Sequence, residues 1–173
     1  MLAEHYTTTI GPIEITVAPP EDPPYGVDVI VEEQDTCLLL GGTHIIRDTE
    51  DGYNALIGKM QRQTSFVPGQ VIVKLTTPMR LIAIVYEIGR QPVSRQEWIV
   101  TALEKIFQEI EIHQARYLAM PLLGVAHSHY PDTDFLELLC SVLPALQANY
   151  PEKLWLVTPM AEYRHIIAYL EKR

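Results

Sequence analysis

Short runs of β-branched and aliphatic residues alternate along this chain with longer segments of helical period, and the order of the two kinds suggests the architecture. Ile13-Glu-Ile-Thr-Val and Val27-Asp-Val-Ile-Val read as two strands. Between them Ala18-Pro-Pro-Glu-Asp-Pro-Pro-Tyr-Gly neither continues a strand nor starts a helix, because each proline lacks an N–H and fixes φ. The pattern is lost over 32–49 except for the apolar run Cys37-Leu-Leu-Leu-Gly-Gly, and residues 53–61 suit a short helix. Two further strands are expected over 71–75 and 81–88, joined by Thr76-Thr-Pro-Met-Arg, a turn of hairpin length.

The second half is more regular. Ser94-Arg-Gln-Glu97 has the form of a capping box, and Trp98, Ala102, Leu103, Ile106, Phe107 and Ile110 make a stripe that predicts a helix to about residue 112. A strand over 117–123 follows, then a helix over 134–148 carrying Leu136, Leu139, Leu143 and Leu146, which Pro144 should bend or split. A strand over 154–157 leads to a last helix opened by Thr158 and Pro159, a good N-cap and first-turn pair. Strand, helix, strand, helix, strand make two successive βαβ units, so the strands at 81–88, 117–123 and 154–157 should lie parallel with right-handed crossovers. With the hairpin added, the fold class is α/β: a three-layer α/β/α sandwich on a mixed, mostly parallel sheet. At 173 residues and 47% hydrophobic, one domain over 1–173 is expected to build one core.

Charge narrows the partners. A formal net charge of −9 argues against nucleic acid and against an anionic membrane surface, both of which call for a basic face. Cys37 and Cys140 are isolated, so neither a disulfide framework nor a zinc ribbon is indicated. The first residues lack the basic and apolar regions of a secretory leader, and no apolar run approaches the ~20 residues of a membrane span. A soluble, cytoplasmic protein is the expectation. There are no repeats, and the residues do not indicate an oligomeric state.

Chemistry should gather where the strand ends at 87–90, 123–131 and 158–163 meet on one edge of the sheet. There Met120-Pro-Leu-Leu-Gly-Val-Ala-His-Ser-His-Tyr-Pro131 joins strand to helix with little side-chain cover at Gly124 and Ala126. Bare amides at a helix mouth hold anions, which makes the loop over 122–131, with Gly124, Val125, Ala126 and His127 in it, a phosphate candidate to which Arg90 or Arg164 could add charge. The plainer alternative is that small residues let the chain turn. His127 and His129, with Asp132, Asp134 and the more distant His44, include metal-ligand types, but no third histidine stands nearby in sequence and no metal is assigned. Ser128, His129 and Asp132 have the residue types of a triad without the nucleophile elbow. Glu32-Glu-Gln-Asp35 could supply a general base or a ribose ligand, against its reading as a solvated strand exit, and Tyr163 could stack on a base or simply pack.

With its elements in this order, the chain from about residue 13 to 170 resembles a divergent macro domain, the ADP-ribose-binding, Appr-1″-p-processing-like α/β module. Val27-Asp-Val-Ile-Val stands where that family has Asp-Ala-Ile-Val. The segment over 120–131 stands where the family has Pro-Ala-Ile-Ser-Thr-Gly-Ile-Tyr-Gly-Tyr-Pro: Pro121, Tyr130 and Pro131 match, while Ala126 and His129 replace glycines. The family's Asn-Ala-Ala-Asn is here Glu32-Glu-Gln-Asp35, and its first glycine loop is cut to Leu40-Gly41-Gly42-Thr43-His44. The resemblance implies that Gly41, Gly42 and residues 124–127 contact phosphate, that Glu21 or Asp22 meets the adenine amino group, and that Asp35 meets a ribose. It implies binding of ADP-ribose or a related nucleotide or phosphate, with no cofactor and without the family's hydrolase activity. The alternatives are an interaction domain that has lost its ligand, and an ester hydrolase using His127, His129 or Asp35 as acid or base.

Overall fold

The computed structural model describes residues 5–40 and 65–173. Its seven strands are β1 (Tyr6–Ile10), β2 (Ile13–Ala18), β3 (Val29–Asp35), β4 (Val71–Lys74), β5 (Met79–Tyr86), β6 (Tyr117–Pro121) and β7 (Lys153–Val157). They form one sheet in the order β1-β2-β7-β6-β3-β5-β4. The β1–β2 and β4–β5 pairs are antiparallel, while β2–β7, β7–β6, β6–β3 and β3–β5 are parallel. The sheet is thus mixed and mostly parallel, as the βαβ pattern predicts, with β3 inserted between the first two strands of that pattern.

Three helices are described: α1 (Gln96–His113), α2 (Asp132–Ala145) and α3 (Met160–Leu170). Their buried residues, among them Ile99, Leu103, Phe135, Leu139 and Ile166, join Ile15, Val17, Val31, Leu81, Leu118 and Leu156 of the strands in one apolar cluster. Each fully buried side chain of this kind stabilises by roughly 1.5–3 kcal/mol. The alternate strand residues Ile84 and Ala119 are buried as well, at 0% and 2% exposure.

The structure departs from the sequence pattern in five places. Tyr6-Thr-Thr-Thr-Ile forms an edge strand, paired with β2 through a tight turn at Gly11 and Pro12. β3 runs through the acidic cluster to Asp35, because β5 pairs with it along its whole length. The capping box does not form: Ser94 is buried and its hydroxyl donates to the Val85 carbonyl at 2.7 Å, so Arg95 is an N-cap without a side-chain bond. Pro144 neither splits nor ends a longer helix beyond 145. It is the last residue but one of α2, so any bend it causes falls where the helix ends, and a Cβ on Gly11 (φ +58°) would lie 2.8 Å from its Cα. Thr158 likewise does not cap α3; its hydroxyl turns back to the Leu156 carbonyl at 3.2 Å.

Candidate functional site

Parallel pairing brings the C-terminal ends of β3, β5, β6 and β7 to one edge, and the segment 122–131 leaves β6 there to enter α2. Gly124 has φ +81°, and a Cβ on it would stand 2.5 Å from Ile99 Cδ1 and 2.9 Å from Ser94 Oγ, so this position requires glycine on both counts. The Ser128 hydroxyl donates to the Gly124 carbonyl and accepts the Tyr130 N–H at 2.9 Å, which folds the loop on itself.

The loop rests on a carboxylate and a phenol. Gly124 N–H donates to Glu33 Oε1 at 2.7 Å, the Tyr86 hydroxyl donates to the same oxygen at 3.0 Å, and His127 N–H donates to the Tyr86 oxygen at 3.3 Å. The His127 ring stands edge-on to Tyr86, centroids 5.4 Å apart. Burial pushes the Glu33 carboxyl up to about 7, outweighing the two hydrogen bonds that favour its ionised form. Burial, and then the neighbouring Glu33 charge, raises the Tyr86 phenol further, so it stays neutral at ordinary pH.

Other amides of the loop are only loosely held. Val125 N–H reaches the Leu122 carbonyl at 3.3 Å and Ser128 N–H the Val125 carbonyl at 3.5 Å, both long beside an ordinary bond of about 2.9–3.0 Å. Ala126, His127 and His129 are exposed. They face a cleft of about 860 Å³ that lies between residues 126–131 and the start of α1 at Arg95, Gln96 and Glu97. The Tyr130 hydroxyl is enclosed there with no hydrogen-bond partner among the described residues.

The remaining candidates fall into several groups. Asp35 is 1% exposed, and its two oxygens accept the N–H groups of Cys37 at 2.7 Å and of Leu39 and Leu40 at 2.8 Å each. Its carboxylate therefore holds the turn after β3 rather than standing free as a base or ribose ligand. Glu32 is spent on a bidentate pair with Arg80 at 2.8 and 2.6 Å, so the acidic cluster is not a solvated strand exit. Asp22 pairs with His5 at 3.0 Å. Tyr163 is 7% exposed and packs in the core, leaving no free face for a base. Arg90 pairs with Glu87 at 3.3 Å, and Arg164 is exposed on α3. Gly41, Gly42, His44 and the helix expected over 53–61 lie outside the described residues.

Among the described residues neither constellation forms. Asp132 is taken by Thr133 N–H at 2.7 Å and His165 at 2.8 Å, and the Ser128 hydroxyl by its own loop, so Ser128, His129 and Asp132 do not make a triad. No group of three or more metal-ligating side chains gathers among the described residues. Tyr86 is the site residue that the sequence reading passes over, and Glu33 enters that reading only as one member of the acidic cluster, not as the support of the loop. The signal for Glu33 was its spacing two and four residues after Val31 and Val29, on the face that turns inward.

No family model matches the chain, and no curated protein does. Solved structures do. An Oceanobacillus iheyensis macrodomain with ADP superposes at TM-score 0.69, with 12% identity over 98% of this chain and 96% of that one. The macrodomain of Thermus aquaticus DarG gives 0.59 and 20% identity over 84% of this chain and 98% of that one. The macro domain of ganglioside induced differentiation associated protein 2 gives 0.64 and 10% identity over 90% and 82%. The chain thus carries the macro-domain fold over nearly its whole length, in a sequence far diverged from these proteins. Among the described residues no helix is long and apolar enough to cross a membrane.

Proposed function

We propose that this protein binds ADP-ribose or a closely related nucleotide diphosphate through loop 122–131, and that it does so without hydrolysing it. The observation that carries the reading is the loop's set of underused donors. The amides of Val125, His127 and Ser128 make only long bonds of 3.3–3.5 Å within the protein, so phosphate oxygens can take them over at little loss. The loop stands at the C-terminal edge of a mostly parallel sheet, where ligands of such folds bind, and it leads directly into the N-terminal end of α2. A solved neighbour of the same fold holds ADP.

In this reading Gly124, Val125, Ala126 and His127 wrap the diphosphate. Asp22, with an oxygen left over from its pair with His5, meets the amino group of the base. Gly41 and Gly42 would face the loop from the other side, as the resemblance implies. Binding without turnover is supported by Asp35, whose carboxylate is committed to three backbone amides.

Calorimetric titration with ADP-ribose tests this. Wild-type protein should give saturable heat that Ala126→Asp, which sets a carboxylate against the diphosphate, removes while the melting temperature is kept. No heat from wild type at millimolar ligand would sink the proposal. Release of free ADP-ribose from an ADP-ribosyl ester at a rate that His127→Ala abolishes would sink its second half.

A further inference from the structure

Glu33 is a carboxylate placed under an anion loop, an arrangement that by charge alone opposes an anionic ligand. Its Oε1 accepts both the Gly124 N–H and the Tyr86 hydroxyl, while Oε2 has no hydrogen bond among the described residues. Among the described residues no cation pairs with it. The titratable groups that face it are the neutral Tyr86 phenol from β5 and, through that ring, His127 from the loop. Gly124, which donates to it, packs against the uncharged Ser94 and, from α1, Ile99. On β3 itself, Glu32 is paired with Arg80 and Asp35 with turn amides, so neither is left to share a proton with it.

We propose that Glu33 couples phosphate binding at loop 122–131 to the uptake of one proton, so that the loop favours its anionic ligand when the carboxyl beneath it is neutral. This rests on the reading of the loop as a phosphate site. The proton comes from solvent and goes to Oε2, the unengaged oxygen; Oε1 continues to accept from Gly124 and Tyr86, so the loop keeps its shape and only the charge beneath it changes. A phosphate over residues 125–128 repels the ionised carboxylate and raises its proton affinity, and by reciprocity the proton raises affinity for the phosphate. Because burial already brings this carboxyl to about 7, the exchange falls across neutrality. Each phosphate of ADP-ribose carries one ester and one anhydride bond and keeps only a strongly acidic hydroxyl, so the pH dependence belongs to the protein.

The test is calorimetry with ADP-ribose from about pH 6 to about pH 8, in buffers of different ionisation enthalpy, on wild type, Glu33→Gln and His127→Gln. Wild type should bind about five- to tenfold more weakly at the upper pH and take up close to one proton near pH 8, and His127→Gln, whatever its affinity, should keep that fold-change and that uptake. Glu33→Gln should bind with nearly constant affinity, take up no proton, and exceed wild type at the upper pH. Tyr86→Phe, which removes one hydrogen bond from the ionised form, should keep the dependence and move it to higher pH, which guards against a misfolded Gln variant. Binding without proton uptake in wild type, or a dependence that survives Glu33→Gln and vanishes in His127→Gln, overturns the coupling alone. Absence of binding in every protein at every pH overturns the phosphate site and the coupling together.

Discussion

Glu33→Gln changes one atom of an enclosed side chain, and its effect on stability has a definite sign at each pH. An ordinary glutamate titrates at 4.5, and in the folded protein burial raises this carboxyl to about 7. Between those values the folded chain holds a proton that the unfolded chain has released. The group's contribution to stability is therefore complete below about 4.5 and is lost as pH rises through about 7. At about 1.4 kcal/mol per pH unit the loss comes to about 3 kcal/mol, an upper figure because water entering the site would reduce it. Glutamine cannot ionise, yet its amide oxygen still accepts from Gly124 and Tyr86. Urea denaturation of both proteins from about pH 5 to about pH 8.5 isolates this group, since the other titrating residues cancel in the difference. The variant should equal or fall slightly below wild type at the acid end and gain steadily, exceeding it by about 1–3 kcal/mol at the alkaline end. A constant difference across the range, or a variant that loses ground as pH rises, would refute the assignment of an uncompensated buried carboxylate.

Three other perturbations follow from the geometry. Gly124→Ala meets both a left-handed backbone and Ile99 Cδ1 at 2.5 Å, and should destabilise by about 2–4 kcal/mol in chemical denaturation; a change under half a kcal/mol would contradict the close approach. Asp35→Ala strands the amides of Cys37, Leu39 and Leu40, and should lower stability by about 2–3 kcal/mol while hydrogen exchange at those amides accelerates. If those three amides keep their protection, Asp35 does not hold the turn. Glu32→Gln breaks a well-formed ion pair with Arg80, but both side chains are about 40% exposed, so denaturation should register under about 1 kcal/mol, and less at high salt.

The sequence made the sheet legible where both faces of a strand are apolar. β5, β6 and β7 and the α1 stripe follow from hydrophobic period alone, and their order implies parallel strands. β3 was only half legible because its last four residues are polar yet half-buried or buried, and two of them are satisfied by partners far away in sequence: Arg80 for Glu32, and Gly124 and Tyr86 for Glu33. β1 hid behind three consecutive threonines, whose alternation between half-buried and exposed positions becomes visible only once β2 lies beside them. The capping box at Ser94 failed for a related reason, since a buried carbonyl at Val85 competes for the hydroxyl and wins. At the site, loop 122–131 could be read from its small residues and its place between strand and helix. What stands beneath it could not, because an acidic strand end looks solvated until a neighbouring strand and loop close over it.

The central claim is that this loop is a diphosphate cradle, and amide NMR during an ADP-ribose titration tests it at the atoms concerned. The account predicts saturable shifts centred on the N–H groups of Val125, Ala126, His127 and Ser128, with a smaller response at Gly124, whose donor stays with Glu33. Saturation with those amides unmoved, or shifts confined to another face of the sheet, would contradict it.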